Sequence, residues 1–286
     1  MTGSHASPLE IIALGNAELA EASRWFGLSR RMQSVPIVAG VVAVFVSDTA
    51  SYLGAVVAAL AQACVWLSRR HASNLQSTGD EARRRGLLLD ALGPTTEPMD
   101  IALLLSHLSK KAHSNIQALE DPNYFASEVA PGAVRLREHL QENAFWAKCQ
   151  YDAVVRRYWA LFAVYAGVAL ILGLVLVPLT PDEVSVVAAR VLVTMFSFTA
   201  AVTQLNEVLA WRSAAQKVEI LDRRLETLVA RDDHELRADR LESMLAVFAD
   251  YCIATAMAPP VPPKVYEQDR DRLNSLWEDR RARQPG

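Results

Sequence analysis

The sequence predicts an all-α integral membrane protein with four transmembrane helices arranged as two hairpins, both chain ends lying in the cytoplasm. Three observations predict it. Hydrophobic residues make up 51 % of the 286 residues while 21 % are charged, and mean hydropathy is +0.12. Such figures coexist only where apolar and charged residues are segregated. The apolar residues do fall into long blocks almost free of charge, and the basic residues gather at one end of every block.

The N-terminal segment, 1–31, has no basic stretch leading into an apolar run, so no cleavable signal peptide is expected. Its Leu9, Ile11, Ile12 and Leu14 are apolar, but it lacks the lysines of helices that lie on a membrane surface. Whether it lies there stays open.

The first hairpin occupies 32–68. The apolar block from Val35 to Leu67 would measure roughly 50 Å as one helix, too long for a bilayer. Asp48 sits near its middle inside SDTAS, a cluster with turn chemistry, and at a helix centre would cost about 3 kcal/mol. Two short spans, 33–47 and 51–67, remove both difficulties.

A cytoplasmic helical region, 69–157, follows. It opens with the basic segment RRRGLLLDAL (83–92), then a capped helix from Met99 to Leu119 and a break at Asp121-Pro122-Asn123. A long helix starts near Gly132. Leu136, Leu140, Ala144, Ala147, Tyr151, Val154 and Tyr158 form a helical seam that leads straight into the next span.

The second hairpin occupies 158–206. Trp159–Leu179 carries no charge and spans roughly 30 Å, the thickness of a bilayer core. Pro178, Thr180 and Pro181 stop it, and Asp182-Glu183 open the return helix. Val184–Leu205 is broken only by Arg190, close enough to the outer end to snorkel. The two hairpins share aromatic residues and an arginine pair before them (Arg30-Arg31, Arg156-Arg157), which suggests a duplicated unit.

The last region, 207–286, is a cytoplasmic stalk and tail. Trp211, Ala214, Val218, Leu221, Leu225 and Leu228 form a heptad seam. Asp232-Asp233 make an N-cap, and Ala238, Leu241, Leu245, Phe248 and Cys252 form a second seam. These seams serve packing within the chain, assembly of copies through the stalk, or both. The four prolines of APPVPPKVY (258–266) oppose helix, and the segment is expected to pack back on the helical body.

Charge fixes orientation. Arg24, Arg30, Arg31, Arg69, Arg70, Lys148, Arg156, Arg157, Arg212 and Lys217 flank the inner ends, and the hairpin tips carry Asp48, Asp182 and Glu183 without a lysine or arginine. That asymmetry places the inner ends in the cytoplasm. The net charge of −3 gives no general attraction to a nucleic acid polymer. Cys64, Cys149 and Cys252 form neither a disulfide framework nor a metal motif.

No catalytic constellation is present: there is no Walker A run, no GxSxG, no HExxH and no paired CxxC. An enzyme is therefore not expected, nor a cofactor or a metal. His139, beside Glu138 and Glu142, reads as part of a solvated polar face. Tyr124, Arg135, Arg137, Gln141, Asn143 and Trp146 mix aromatics, arginines and amides in a way that could stack on and clamp a nucleotide. An exposed helix with two buried aromatics explains them as well. Thr194, Ser197 and Gln204 share one face of the last span, suited to a bundle interior or a pore lining, with Thr199, Thr203 and Asn206 nearly opposite.

The tyrosine-containing YFAS (124–127), followed by RLREHLQENAFWAKCQYDAVVRRYW (135–159) entering the third span, resembles the four-transmembrane effectors that accompany CD-NTase enzymes in bacterial anti-phage operons of the CBASS type (the SMODS-associated four-TM effectors). The shared pattern maps to Tyr124-Phe125, Arg135, Gln141, Asn143 and Trp146, and the late prolines from Pro259 to Tyr266 are similar too. The likeness spans nearly the whole architecture and is specific over about 124–159, with Phe145 and Ala147 beside the tryptophan. The resemblance implies a signal-gated effector that disrupts the inner membrane or forms a pore. Its implied partners are the lipid bilayer, a cyclic oligonucleotide ligand and copies of itself. The alternative is a non-conducting scaffold that gathers a partner through its cytoplasmic helices.

Overall fold

The structure is a computed structural model that describes residues 6–45, 48–93, 98–119, 124–176, 184–229 and 237–283. The fold is all-α. Its elements are α1 (Pro8–Phe45), α2 (Asp48–Leu92), α3 (Pro98–His107), α4 (Lys110–Leu119), α5 (Ala133–Leu176), α6 (Val184–Val229), α7 (Arg237–Ala256) and α8 (Pro263–Arg283), with no strand among the described residues. Among the described residues three helices, α2, α5 and α6, are long and apolar enough to cross a membrane. The expected turns at 120–123 and 177–183 and the Asp232-Asp233 cap lie outside the described residues.

Local chemistry sets the helix ends. Ser7 and Glu10 form a reciprocal capping box, Glu10 N–H donating to Ser7 Oγ at 3.1 Å and Ser7 N–H to Glu10 Oε2 at 3.3 Å, with Pro8 at the first helical position. α2 ends on Gly93, whose φ of 84° is the left-handed closure glycine favours; its N–H reaches Leu89 O at 3.0 Å.

Two expectations need correction. The single helix from Met99 to Leu119 is two helices, α3 and α4, because Ser109 caps the second. Its hydroxyl accepts from Ala112 N–H at 3.2 Å and donates to Glu18 Oε2 at 2.6 Å. The proline segment opposes helix only to Pro262. Pro263 begins α8, since proline's fixed φ suits a first helical position.

The chain divides into two units. One comprises Met1–Ser23, Ser73–Ala153 and Ala210–Gly286, the other Arg24–Ala72 and Val154–Leu209.

In the first unit Ile11, Leu14, Ala82, Leu89, Leu104 and Leu108 form a buried cluster. The N-terminal apolar residues therefore lie in a protein core. α1 and α2 touch backbone to backbone there. A Cβ on Gly15 would stand 2.9 Å from Gly79 O, and one on Gly86 would stand 2.5 Å from Ile12 Cγ1. The α5 residues Leu136, Leu140 and Ala144 are wholly buried, as are Trp211 and Val218 of the α6 seam. The α7 stripe is shifted in part from the expected one: Met244, Val247, Tyr251 and Ala254 are buried while Leu245 is exposed, and the expected Cys252 is buried. The proline tail does pack back. Its carbonyls at Ala258, Pro259 and Val261 accept from Gln76 (2.9 Å), Trp211 Nε1 (2.9 Å) and Ser23 (3.2 Å).

In the second unit Ile37, Tyr165, Ala200 and Ala201 pack together, and Ala55 meets Val193. Outside this narrow core the surface is apolar: Leu53, Val56 and Leu60 on α2, Val164, Ile171 and Leu174 on α5, and Met195 and Val202 on α6 are all more than half exposed. A groove of about 440 Å³ runs along α6 between Val191 and Thr203.

Candidate functional site

Two constellations of polar side chains stand out, one in each unit. The first lies where the segment 124–132 lies along the start of α5. Asp90, near the end of α2, is its hub. Asp90 Oδ2 accepts from Arg135 Nε and Nη2 at 3.0 and 2.8 Å and lies 2.6 Å from His139 Nε2. Arg135 Nη1 also donates to Val129 O at 3.0 Å. Ala126 N–H donates to Glu142 Oε2 at 3.1 Å, and Gly132 N–H to Ala91 O at 2.7 Å. The Phe125 ring stacks on His139, 3.7 Å between centroids, and Tyr124 meets Phe125 edge-on at 4.8 Å. The segment is thus a strap closed by ring stacking, one arginine and two backbone hydrogen bonds.

His139 corrects the sequence expectation of a solvated face: its side chain is fully buried. The helix register explains this, since His139 follows Leu136 and precedes Asn143 on the face turned to α2. Burial holds its pKa below the ordinary value, against the raising influence of Asp90. Geometry argues the same way. Nδ1 makes no hydrogen bond among the described residues, so a second ring proton would be buried without an acceptor.

The six residues singled out as ligand contacts are not all brought together. Tyr124 is half-buried in the strap, and Arg135 is committed to Asp90 and Val129. Asn143 is buried, donating to His139 O at 2.8 Å and accepting from Arg83 Nη2 at 2.7 Å. The phenols of Tyr124, Tyr251 and Tyr151, with Asp80, lie near enough to Arg83 to favour its charged form. Arg137 and Gln141 occupy another face of α5, Arg137 Nη2 standing 4.0 Å from Glu138. Gln141 is buried, and its Nε2 has no hydrogen-bond partner among the described residues. Trp146 is half-buried. Sequence reasoning missed Asp90 and Arg83, which stand in RRRGLLLDAL; an aspartate ending a basic segment was the available signal.

The second constellation belongs to the membrane-type unit. Glu207, 4 % exposed, takes Arg30 Nε at 3.3 Å and Arg69 Nη2 in close contact. The Arg30 guanidinium lies over the Tyr158 ring at 3.3 Å, and Arg69 lies over Phe26 at 5.4 Å. Arg30 Nη2 also donates to Gln204 Oε1 at 2.7 Å, and Gln204 Nε2 donates to Gln33 Oε1 at 2.6 Å. Helices α1, α2, α5 and α6 each supply at least one member. Bringing two arginines to one buried glutamate is costly unless the remaining donors are satisfied, and Gln204 with the Tyr158 and Phe26 faces meets part of that.

The three residues expected on one face of α6 are all buried. Ser197 and Thr194 donate to carbonyls one turn back, at 2.9 Å each, and Ser197 also reaches Pro36 O at 3.5 Å. Thr199 and Asn206, on the opposite face, are exposed. Among the described residues no cluster of His, Cys, Asp or Glu could hold a metal ion.

No protein-family model matches the chain, and no curated protein or solved structure matches it either.

Proposed function

We propose that this chain is a four-span inner-membrane effector of a bacterial anti-phage system, gated by a cyclic oligonucleotide or a similar infection signal. The observation that carries the reading is the exposed apolar band of the Arg24–Ala72 and Val154–Leu209 unit. Side chains such as Leu53, Leu60 and Leu174, each exposed by 63–67 %, need a bilayer to cover them. In this reading α1 supplies the fourth span, expected over 33–47, so that α1 with α2 and α5 with α6 make the two hairpins. The basic flanks set both ends of the chain in the cytoplasm.

Gating in this reading uses the strap. A ligand that binds the strap-open state better than the closed one shifts the balance through that difference in affinity. Tyr124, Arg135, Arg137, Gln141, Asn143 and Trp146 are the residues assigned to sensing, and Thr194, Ser197 and Gln204 to the bundle that rearranges. Helix continuity supports a path between them, because α5 carries both Arg135 and Tyr165 and α6 both Gln204 and Trp211.

Induced expression together with a CD-NTase cyclase and its activator tests this directly. Collapse of membrane potential and loss of viability are expected, with Trp146→Ala inserting but failing to kill. Intact potential with the parent protein overturns the effector reading. The scaffold alternative draws on the exposed Ile220, Ile253 and Met257, and would instead yield one stoichiometric co-purifying protein with growth unchanged.

A further inference from the structure

The buried cluster around Glu207 also fixes the height of its neighbours. Glu207 touches Arg30 and Arg69, and Arg30 lies over Tyr158, so the four lie near one level of the helices α1, α2, α5 and α6. The next residue along a helix stands only about 1.5 Å away along the axis and 100° around it. Arg31, Arg70 and Arg157 are such neighbours, Arg156 is two places from Tyr158, and all four are exposed. Three of the four inward-facing members, Arg30, Arg69 and Tyr158, therefore have an outward-facing arginine beside them.

The composition of this ring is one-sided. Residues 24–72 and 154–209 contain no lysine, and their acids are Asp48, Asp182 and Glu183, all at the hairpin tips, plus Glu207. Glu207 is already taken up by Arg30 and Arg69. Two exposed tryptophans adjoin the ring on the apolar side: Arg70 lies over the Trp66 ring at 5.7 Å, and Trp159 follows Arg157 by two residues. Beyond them the exposed surface is apolar. Guanidinium groups bind phosphate oxygens in pairs of parallel hydrogen bonds, and indoles settle at the glycerol level of a bilayer.

We propose that the belt of Arg31, Arg70, Arg156 and Arg157 is a docking surface for the phosphate headgroups of anionic phospholipids. This inference rests on the membrane reading of the preceding section. The recognition differs from general attraction to a negative surface, because the arginines are held at a fixed height by the cluster inside them.

The test uses the full-length protein. Membranes carrying it are first washed at alkaline pH, and the pellet is then reconstituted into vesicles of phosphatidylcholine alone or of phosphatidylcholine and phosphatidylglycerol in equal parts. The lipid retained after mild detergent extraction is counted by native mass spectrometry, and thermal unfolding is followed in parallel. The parent should retain phosphatidylglycerol over phosphatidylcholine and unfold at a higher temperature with it. Arg31→Gln, Arg70→Gln and Arg156→Gln should each lower that preference about five-fold, the worth of one basic residue at an anionic surface. Lysine in the same places should restore charge but only part of the preference. Release by the alkaline wash overturns the membrane reading and this inference with it. Retention in the pellet with no headgroup preference overturns this inference alone. Equal stabilisation by soluble glycerol phosphate also overturns it, in favour of a free phosphate ligand.

Discussion

The ring of Phe125 lies parallel to the imidazole of His139 to within 15°, with 3.7 Å between centroids. The stack joins an irregular segment to a fully buried histidine whose second nitrogen has no acceptor among the described residues. Protonation there would place a buried cation beside Arg135 and a second ring proton without an acceptor, against the compensating charges of Asp90 and Glu138.

Acid should therefore loosen the strap. Burial lowers the folded pKa of His139 below its unfolded value of about 6.5. Its contribution is fully present above that value and is lost as pH falls from there through the folded pKa. Hydrogen exchange at 124–132, corrected for intrinsic rates, should rise as pH falls below about 6.5. His139→Gln should flatten that profile, and an unchanged profile would assign the pH dependence to another group.

Glu207 and Arg69 should differ sharply as mutational targets. Glu207→Gln leaves two arginines without their carboxylate, and removing one partner of a buried pair costs about 3–5 kcal/mol. Arg69 is 27 % exposed, so Arg69→Gln lets Arg30 keep Glu207 and costs less. Thermal unfolding in detergent should rank them in that order.

Gln204→Leu removes the acceptor of Arg30 Nη2 and the donor to Gln33 together. A loss of about 1–3 kcal/mol is expected from the stranded groups, with insertion retained. The double variant with Gln33→Leu should recover part of that loss, since one stranded amide disappears. Membrane fractionation and unfolding curves check both statements.

Two glycines in α1 and α2 should respond oppositely to alanine. Gly86→Ala forces a methyl against Ile12 and should cost about 1–3 kcal/mol through overpacking. Around Gly27 no heavy atom lies within 4 Å of an added Cβ. Gly27→Ala should be neutral or stabilise by up to about 1 kcal/mol through helix propensity. Equal effects would mean that the α1–α2 contact contributes nothing to stability.

The fold class was legible because helix and membrane signals both rest on runs of residues: the uncharged Trp159–Leu176 stretch and the seam from Leu136 to Tyr158 each read the same way in sequence and structure. Single-residue events were harder. Ser109 divides what looked like one helix because Glu18, 91 positions earlier in the chain, orients its hydroxyl, and no local pattern carries that information. The α7 stripe was misplaced by one position because Leu245 and Met244 are equally apolar, and only the neighbouring helices select between them. At the site, Arg135 and Asn143 stood out by type. Their partners Asp90 and Arg83 did not, since long-range pairing leaves no trace in spacing. The buried state of His139 was hidden by Glu138, its neighbour in sequence, and by Glu142, which lies one turn on and accepts from Ala126 N–H.

The unit built from residues 1–23, 73–153 and 210–286 has a consequence for biosynthesis. Ile11 and Leu14 find Ala82, Leu89 and Leu108 only after the apolar start of α2 has left the ribosome, and the carbonyls of the proline tail arrive last of all. At ordinary rates of translation that interval is on the order of tens of seconds. Throughout it the amino-terminal helix displays an uncovered apolar stripe beside a membrane, in the presence of chaperones and proteases. A ribosome stalled before residue 210 would therefore leave a nascent chain whose apolar segments can insert while its helical body stays unfinished, a ready target for quality control.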